Sequence, residues 1–189
     1  MANSQTEYVP RRSAEGAFHA RRFAGDVGVA FTAMVTVSWS HIGAEPRELY
    51  DLHKTLRARF KRAWKYRQRS TALPELHMIE TIESPEGDFH AHALVNVLLG
   101  EREWVLQTLI SRMSKITGQE VPEDAIQILD VQHSGTVLKY MLKGVSPAYA
   151  DYFHMRTLAQ GTVHGRRVSV SRSLGPTARR RARWRRTGR

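Results

Sequence analysis

Two histidines, a pair of glutamates, a tyrosine and a lysine have the types and spacings needed to cleave a phosphodiester. His90 and His92 stand two apart in the alternating segment 89–98, and side chains two apart on a strand share one face, close enough to ligate a single cation. With nine histidines in 189 residues, an H-x-H triplet arises by chance about 0.4 times, so the spacing alone carries little. Its surroundings carry more. A turn that pairs Pro85 with Asp88 places Glu83 directly across from His90 on the same face, within cross-strand reach. That supplies a carboxylate as third ligand. A one-residue change of register puts Glu80 opposite His92 instead, so Glu83 is the first choice and Glu80 the competitor. A His-His-Glu set with open positions suits Mn²⁺ or Mg²⁺ and also admits Zn²⁺; the cation would polarise a phosphodiester oxygen as a Lewis acid.

Further along, Leu138, Met141, Leu142 and Val145 hold the helical spacing of a core-facing stripe, and Tyr140 and Lys143 fall off it together, one turn apart. A tyrosine that only packs belongs in the stripe. A phenol oxygen beside a cation can attack phosphorus and form a phosphotyrosyl ester, with Lys143 helping to hold the scissile phosphate. Tyr149 and Tyr152 lie nearby, but neither has a lysine three residues on.

These residues need elements to position them. From Phe31 the chain alternates, with Phe31, Ala33, Val35, Val37 and Trp39 on one side, which predicts a half-buried strand. Glu45, Pro46 and Glu48 open a helix over 46–68 whose stripe is Leu49, Leu52, Leu56, Phe60 and Ala63. Its other faces are basic, and Arg57, Lys61 and Lys65 are candidate DNA contacts. Segments 76–83 and 89–98 flank Ser84-Pro85-Glu86-Gly87-Asp88 as a β-hairpin. A second helix spans 101–117 and is capped by Gly118, a short strand follows over 125–131, and Ser134 is the expected N-cap of a helix running to Lys143. The order β-α-β-β-α-β predicts an α+β fold, a ferredoxin-like split β-α-β arrangement with a central antiparallel sheet and an appended C-terminal helix. Residues 168–170 add a candidate strand.

Residues 1–28 read as a flexible basic arm, 29–175 as the folded domain and 176–189 as a disordered arginine-rich tail. The formal charge of +11 favours a polyanionic partner. Seven arginines between Arg179 and Arg189 explain most of that excess, leaving about +4 elsewhere. The chain has no cysteine, which excludes disulfides and thiolate-ligated zinc. No apolar run approaches the roughly 20 residues of a membrane span and no signal-peptide core opens the chain, so a cytoplasmic protein is expected.

The strand Met34-Val35-Thr36-Val37, the His90-Ala91-His92 triplet and the later Tyr140-Met141-Leu142-Lys143 occur in the order used by HUH endonucleases of the replication-initiator type. The stretch Glu83-Ser84-Pro85-Glu86-Gly87-Asp88-Phe89-His90-Ala91-His92 also resembles the E-N-P-x-G-x-x-H-x-H stretch of bacterial Rep-like proteins. Tyr140 to Val145 with Gly165-Arg166-Arg167-Val168-Ser169-Val170-Ser171 looks like the same proteins' C-terminal signature, in which Arg166 and Arg167 are further candidate DNA contacts. The resemblance runs from about Phe31 to Arg180. It implies an HUH-type nuclease fold of a bacterial plasmid or phage protein, a divalent cation on the histidine pair, and a tyrosine that nicks one DNA strand. The tyrosine keeps the 5′ phosphate and leaves a 3′ hydroxyl for a polymerase. Ser84 departs from the pattern's usual Asn. The motif holds one tyrosine, which argues against a two-tyrosine strand transfer. No G-x-x-x-x-G-K-[ST] loop occurs, so a host helicase is the implied partner at origin DNA. A single-tyrosine transposase would share this chemistry, and a non-catalytic ferredoxin-like nucleic-acid-binding domain would share the strand order.

Overall fold

Burial alternates residue by residue along the strand that starts the sheet, and falls on a single stripe along each long helix. Residues 5–184 are described in a computed structural model. The chain runs β1 (Gln5–Thr6), α1 (Arg11–Asp26), β2 (Ala33–Ser38), α2 (Pro46–Arg67), β3 (Met78–Glu83), β4 (His90–Val95), α3 (Arg102–Thr117), β5 (Ile126–Asp130), α4 (Ser134–Met141), α5 (Ala150–Phe153), β6 (Val163–His164), β7 (Val168–Val170) and α6 (Pro176–Arg181). Five strands form one sheet in the order β5-β2-β4-β3-β7, with every neighbouring pair antiparallel. β1 and β6 make a separate short pair.

Helices cover both faces of this sheet, and each face has its own core. On one side Phe89, Ala91, Ala93 and Val95 meet the buried stripes of α2 (Leu49, Leu56, Phe60, Trp64) and α3 (Val105, Leu109, Met113). On the other, Ile79 and Leu94 meet α1 and the Leu138, Met141 and Leu142 side of α4. Pro46 starts α2 at a position where its missing N–H costs nothing, and Gly118 ends α3 in the left-handed conformation. Among the described residues, no helix is long and apolar enough to cross a membrane.

The N-terminal segment expected to be a mobile arm contains α1, whose Ala14, Ala17, Ala20, Phe23 and Ala24 are buried. Its stripe is mostly alanine, which permits close approach to the sheet but barely registers as hydrophobic periodicity among so many arginines. The expected disordered tail is helical over Pro176–Arg181, and beyond it the Trp184 indole donates to Asp26 at 2.6 Å and packs edge-on to Phe23. The remainder of that tail, 185–189, and residues 1–4 lie outside the described residues.

Candidate active site

β4 is interior to the sheet, between β2 and β3, and its two registers decide what surrounds the histidines. Glu83 pairs with His90 and Thr81 with His92 on one flank, while Thr36 pairs with His92 and Ser38 with His90 on the other. His90, His92 and Glu83 therefore share the face covered by α1 and α4. Glu80, the competing ligand, pairs with Ala93 and faces the opposite core.

The His92 imidazole is buried between two polar contacts, Thr36 Oγ1 to Nδ1 at 3.0 Å and Glu83 Oε1 to Nε2 at 3.0 Å. α4 brings the remaining groups to this point. The Tyr140 ring lies edge-on to His92 with centroids 5.9 Å apart, half exposed at its outer side. Lys143 Nζ sits 4.1 Å from the Tyr140 ring centroid and 3.1 Å from Glu83 Oε2. α4 itself is shorter than expected: Ser134 is its first helical residue rather than its cap, and it ends at Met141. Lys143 sits in the following turn, its N–H donating to the Tyr140 carbonyl at 3.1 Å.

Protonation follows from these contacts. Burial pushes the His90 imidazole pKa below its ordinary value, with Glu83 opposing, so neutral imidazole predominates near pH 7. Burial raises the Glu83 carboxyl, but the His92 hydrogen bond and charge and then Lys143 outweigh it, and the net shift is downward. The Thr36 hydroxyl can donate or accept. His92 can therefore carry its proton on Nε2, toward Glu83, or hold it on Nδ1 and offer the Nε2 lone pair.

The donor set fits a divalent cation in kind. The Thr81 hydroxyl, across from His92, is buried and has no hydrogen-bond partner among the described residues. The set is not a closed cage, however. Among the described residues no three His, Cys, Asp or Glu side chains converge as a metal cluster. His90 and His92 stack at 6.4 Å between centroids, and Lys143 holds Glu83. Cation binding at Glu83 must compete with Lys143.

Sequence reasoning missed two groups. Thr36, which orients His92, was visible only as a polar position on a strand, because the β2–β4 register joins segments far apart in the chain. The second is a buried chain on the α2 face: Trp39 Nε1 donates to His53 Nδ1 at 3.3 Å, His53 Nε2 lies 2.9 Å from Glu80 Oε1, and Ser169 Oγ lies 3.0 Å from Glu80 Oε2. Arg57 Nη1 completes it by pairing with Glu80 and donating to Ser169. Since an indole N–H only donates, His53 Nδ1 must accept, which puts the histidine's proton on Nε2, toward Glu80. A Glu80 ligand role and a free Arg57 are both inconsistent with this network.

The remaining basic candidates separate. Lys61 and Lys65 are exposed on α2, across the sheet from Tyr140. Arg166 is exposed, with its backbone N–H donating to the Tyr50 hydroxyl. Arg167, expected to contact DNA, is 2% exposed and donates to the carbonyls of Thr6, Ile82, Gln160 and Gly161. Its guanidinium is consumed by tying β1, β3 and the loop before β6 together. Comparison with protein-family models and with curated proteins finds no match to this chain.

Proposed function

We propose that this protein is a site-specific single-strand DNA nicking endonuclease of the HUH class, initiating rolling-circle replication with Tyr140 as nucleophile. The observation that carries the reading is the convergence of an exposed tyrosine, a lysine, a histidine and a carboxylate at one point: Tyr140 against His92, Lys143 over the Tyr140 ring, and Glu83 held by both Lys143 and His92. The strand order β5-β2-β4-β3 with α2 and α3 as connections supports a ferredoxin-like split β-α-β sheet of the HUH type. A base-stacking platform of the RNA-recognition kind needs a free sheet face, and helices cover both faces here.

In the reaction the Tyr140 oxygen bonds to phosphorus and the bond from phosphorus to the 3′ oxygen breaks. The phenolic proton is balanced by the proton that the departing 3′ hydroxyl acquires, and the 5′ phosphate stays on the tyrosine. Lys143 supplies a positive charge to the phosphate oxygens. Thr36 sets the ring orientation of His92. A divalent cation, Mn²⁺ or Mg²⁺ with Zn²⁺ as the other candidate, held by His90, His92 and Glu83, would supply Lewis-acid polarisation of the scissile phosphate. The released 3′ hydroxyl would serve a host polymerase, and a host helicase would open the origin DNA.

Incubation with a labelled single-stranded DNA pool and Mn²⁺, resolved on a denaturing gel, tests this directly. A covalent protein–DNA band should form with wild type and be absent for Tyr140→Phe and in EDTA. Binding to origin DNA with neither nick nor adduct overturns the nuclease reading.

A further inference from the structure

Several arginines that the proposed nicking chemistry leaves unused line one edge of the sheet. β7 is an edge strand, joined to β3 through bonds such as Ile82 N–H to Arg167 O at 2.8 Å and Ser171 N–H to Met78 O at 2.9 Å. Its outer edge pairs with no strand among the described residues. Against that edge lies an open groove of 1190 Å³, walled by Ser13 and Gly16 of α1 and by segment 172–182. Arg166, Arg172 and Arg181 line it and are exposed. None of the three ion-pairs with a carboxylate among the described residues, whose one acidic contribution to the lining is Glu75.

Like charges that outnumber their counter-charges in a concave surface concentrate positive potential, and a polyanion relieves it. The groove also leads to the right place. Thr81 is the last β3 residue paired with β7, across from Val168, and the Ile82 N–H still donates to Arg167 O, so Arg166 precedes β7 at the end of the sheet edge toward Glu83. Arg172 lies beyond the other end of β7, roughly 20 Å away along extended chain.

We infer that this groove carries the phosphate backbone of the single DNA strand whose scissile phosphate is presented to Tyr140, an assignment that rests on the nicking activity proposed above. The strand runs along the open β7 edge, with Arg166 nearest the chemistry and Arg172 and Arg181 further out. Contacts of this kind position the strand and carry no base information.

Fluorescence anisotropy with the full chain and a labelled oligothymidylate, over a series of salt concentrations, provides the test. Combined Arg166→Ala, Arg172→Ala and Arg181→Ala should weaken binding roughly 10- to 100-fold. The slope of log K against log salt should shrink by about 2, since each lost single-strand phosphate contact contributes about 0.7. A charge-matched control, Arg59→Ala with Arg62→Ala and Arg112→Ala, empties a second basic groove on the outer side of α2 and α3, and should bind as wild type. Equal losses in both triple variants, or loss only in the control, overturn the inference. Unchanged binding by the β7 variant does so too, and leaves the open edge to strand addition by a peptide. Equal melting temperatures show that the variants are folded. The adduct assay on the same proteins separates the two readings: loss of binding with no adduct even from wild type keeps the groove and removes the nuclease, while an adduct from a wild type whose binding ignores the groove does the reverse.

Discussion

Glu80 and Glu83 are three residues apart on β3, so they face opposite sides of the sheet, and their partners give them different work. Glu80 is wholly enclosed. Burial disfavours its charge, but His53, Arg57 and Ser169 outweigh that and hold its carboxyl at about 2. An unfolded glutamate titrates near 4.3. Because the folded value is the lower one, the ionised carboxylate stabilises the fold fully above about pH 5, and that contribution fades as pH falls toward about 2, a change of about 3 kcal/mol. Glu80→Gln, which also strands Arg57, should therefore cost roughly 3 kcal/mol at neutral pH and little near pH 2. Urea denaturation across that range checks it; a constant difference between the two proteins would mean that the network does not carry the charge. At Glu83 the opposing cation is Lys143, and the proposed metal would have to displace it. Saturating Mn²⁺, at about 100 times its Kd, should stabilise wild type by about 2.7 kcal/mol, with no gain for the His90→Ala and His92→Ala double variant. Lys143→Met, which frees Glu83, should lower the Mn²⁺ concentration needed in the same melting assay. A higher requirement would show that Lys143 assists the cation rather than competing with it.

α1 and the β3–β4 hairpin differ in how openly the chain announces them. The hairpin was legible because its register follows from local turn chemistry: Pro85 starts a tight turn, Gly87 takes φ of 92°, and Glu83 meets His90 as that turn requires. The helix over Pro46–Arg67 was legible from a strong apolar stripe. α1 was not, since alanines bury little area each and the signal comes from tight packing rather than hydrophobicity. The roles of Arg57 and Arg167 were hidden for another reason: in sequence they are two more arginines in basic stretches, and only long-range partners such as Glu80, Thr6 and Gly161 turn them inward. If α1 is integral to the fold, enlarging its buried stripe must be costly. Ala17→Leu, at a position with no exposed surface, should destabilise the protein by about 1–3 kcal/mol through overpacking. Arg12→Ala, on the exposed side of the same helix, should fall within about 0.5 kcal/mol of wild type. Equal urea midpoints for the two variants would return this segment to the status of an arm.

Helices cover both sheet faces, and Tyr140 is half exposed on the outer side of α4, so under the proposed function a DNA strand would meet it at the surface and the charge of the whole molecule would bear on how that strand is held. The formal excess of +11 includes Arg185, Arg186 and Arg189, which follow the last described contact, Trp184 with Asp26. Deleting 185–189 removes three positive charges while leaving Trp184 to pack on Phe23. If these arginines act on phosphate, the deletion should weaken binding to every single strand by a similar factor and reduce the salt slope by up to about 2. The position of the nick should not move, because phosphate contacts hold the strand without reading its bases. Mapping the cleavage site on one origin strand with full-length and shortened protein decides between the two roles. An unchanged site with reduced affinity makes the tail an electrostatic tether. A displaced site means that these arginines enter a groove and read sequence, which would move part of the specificity from the α4 and β4 side of the molecule to its C-terminal end.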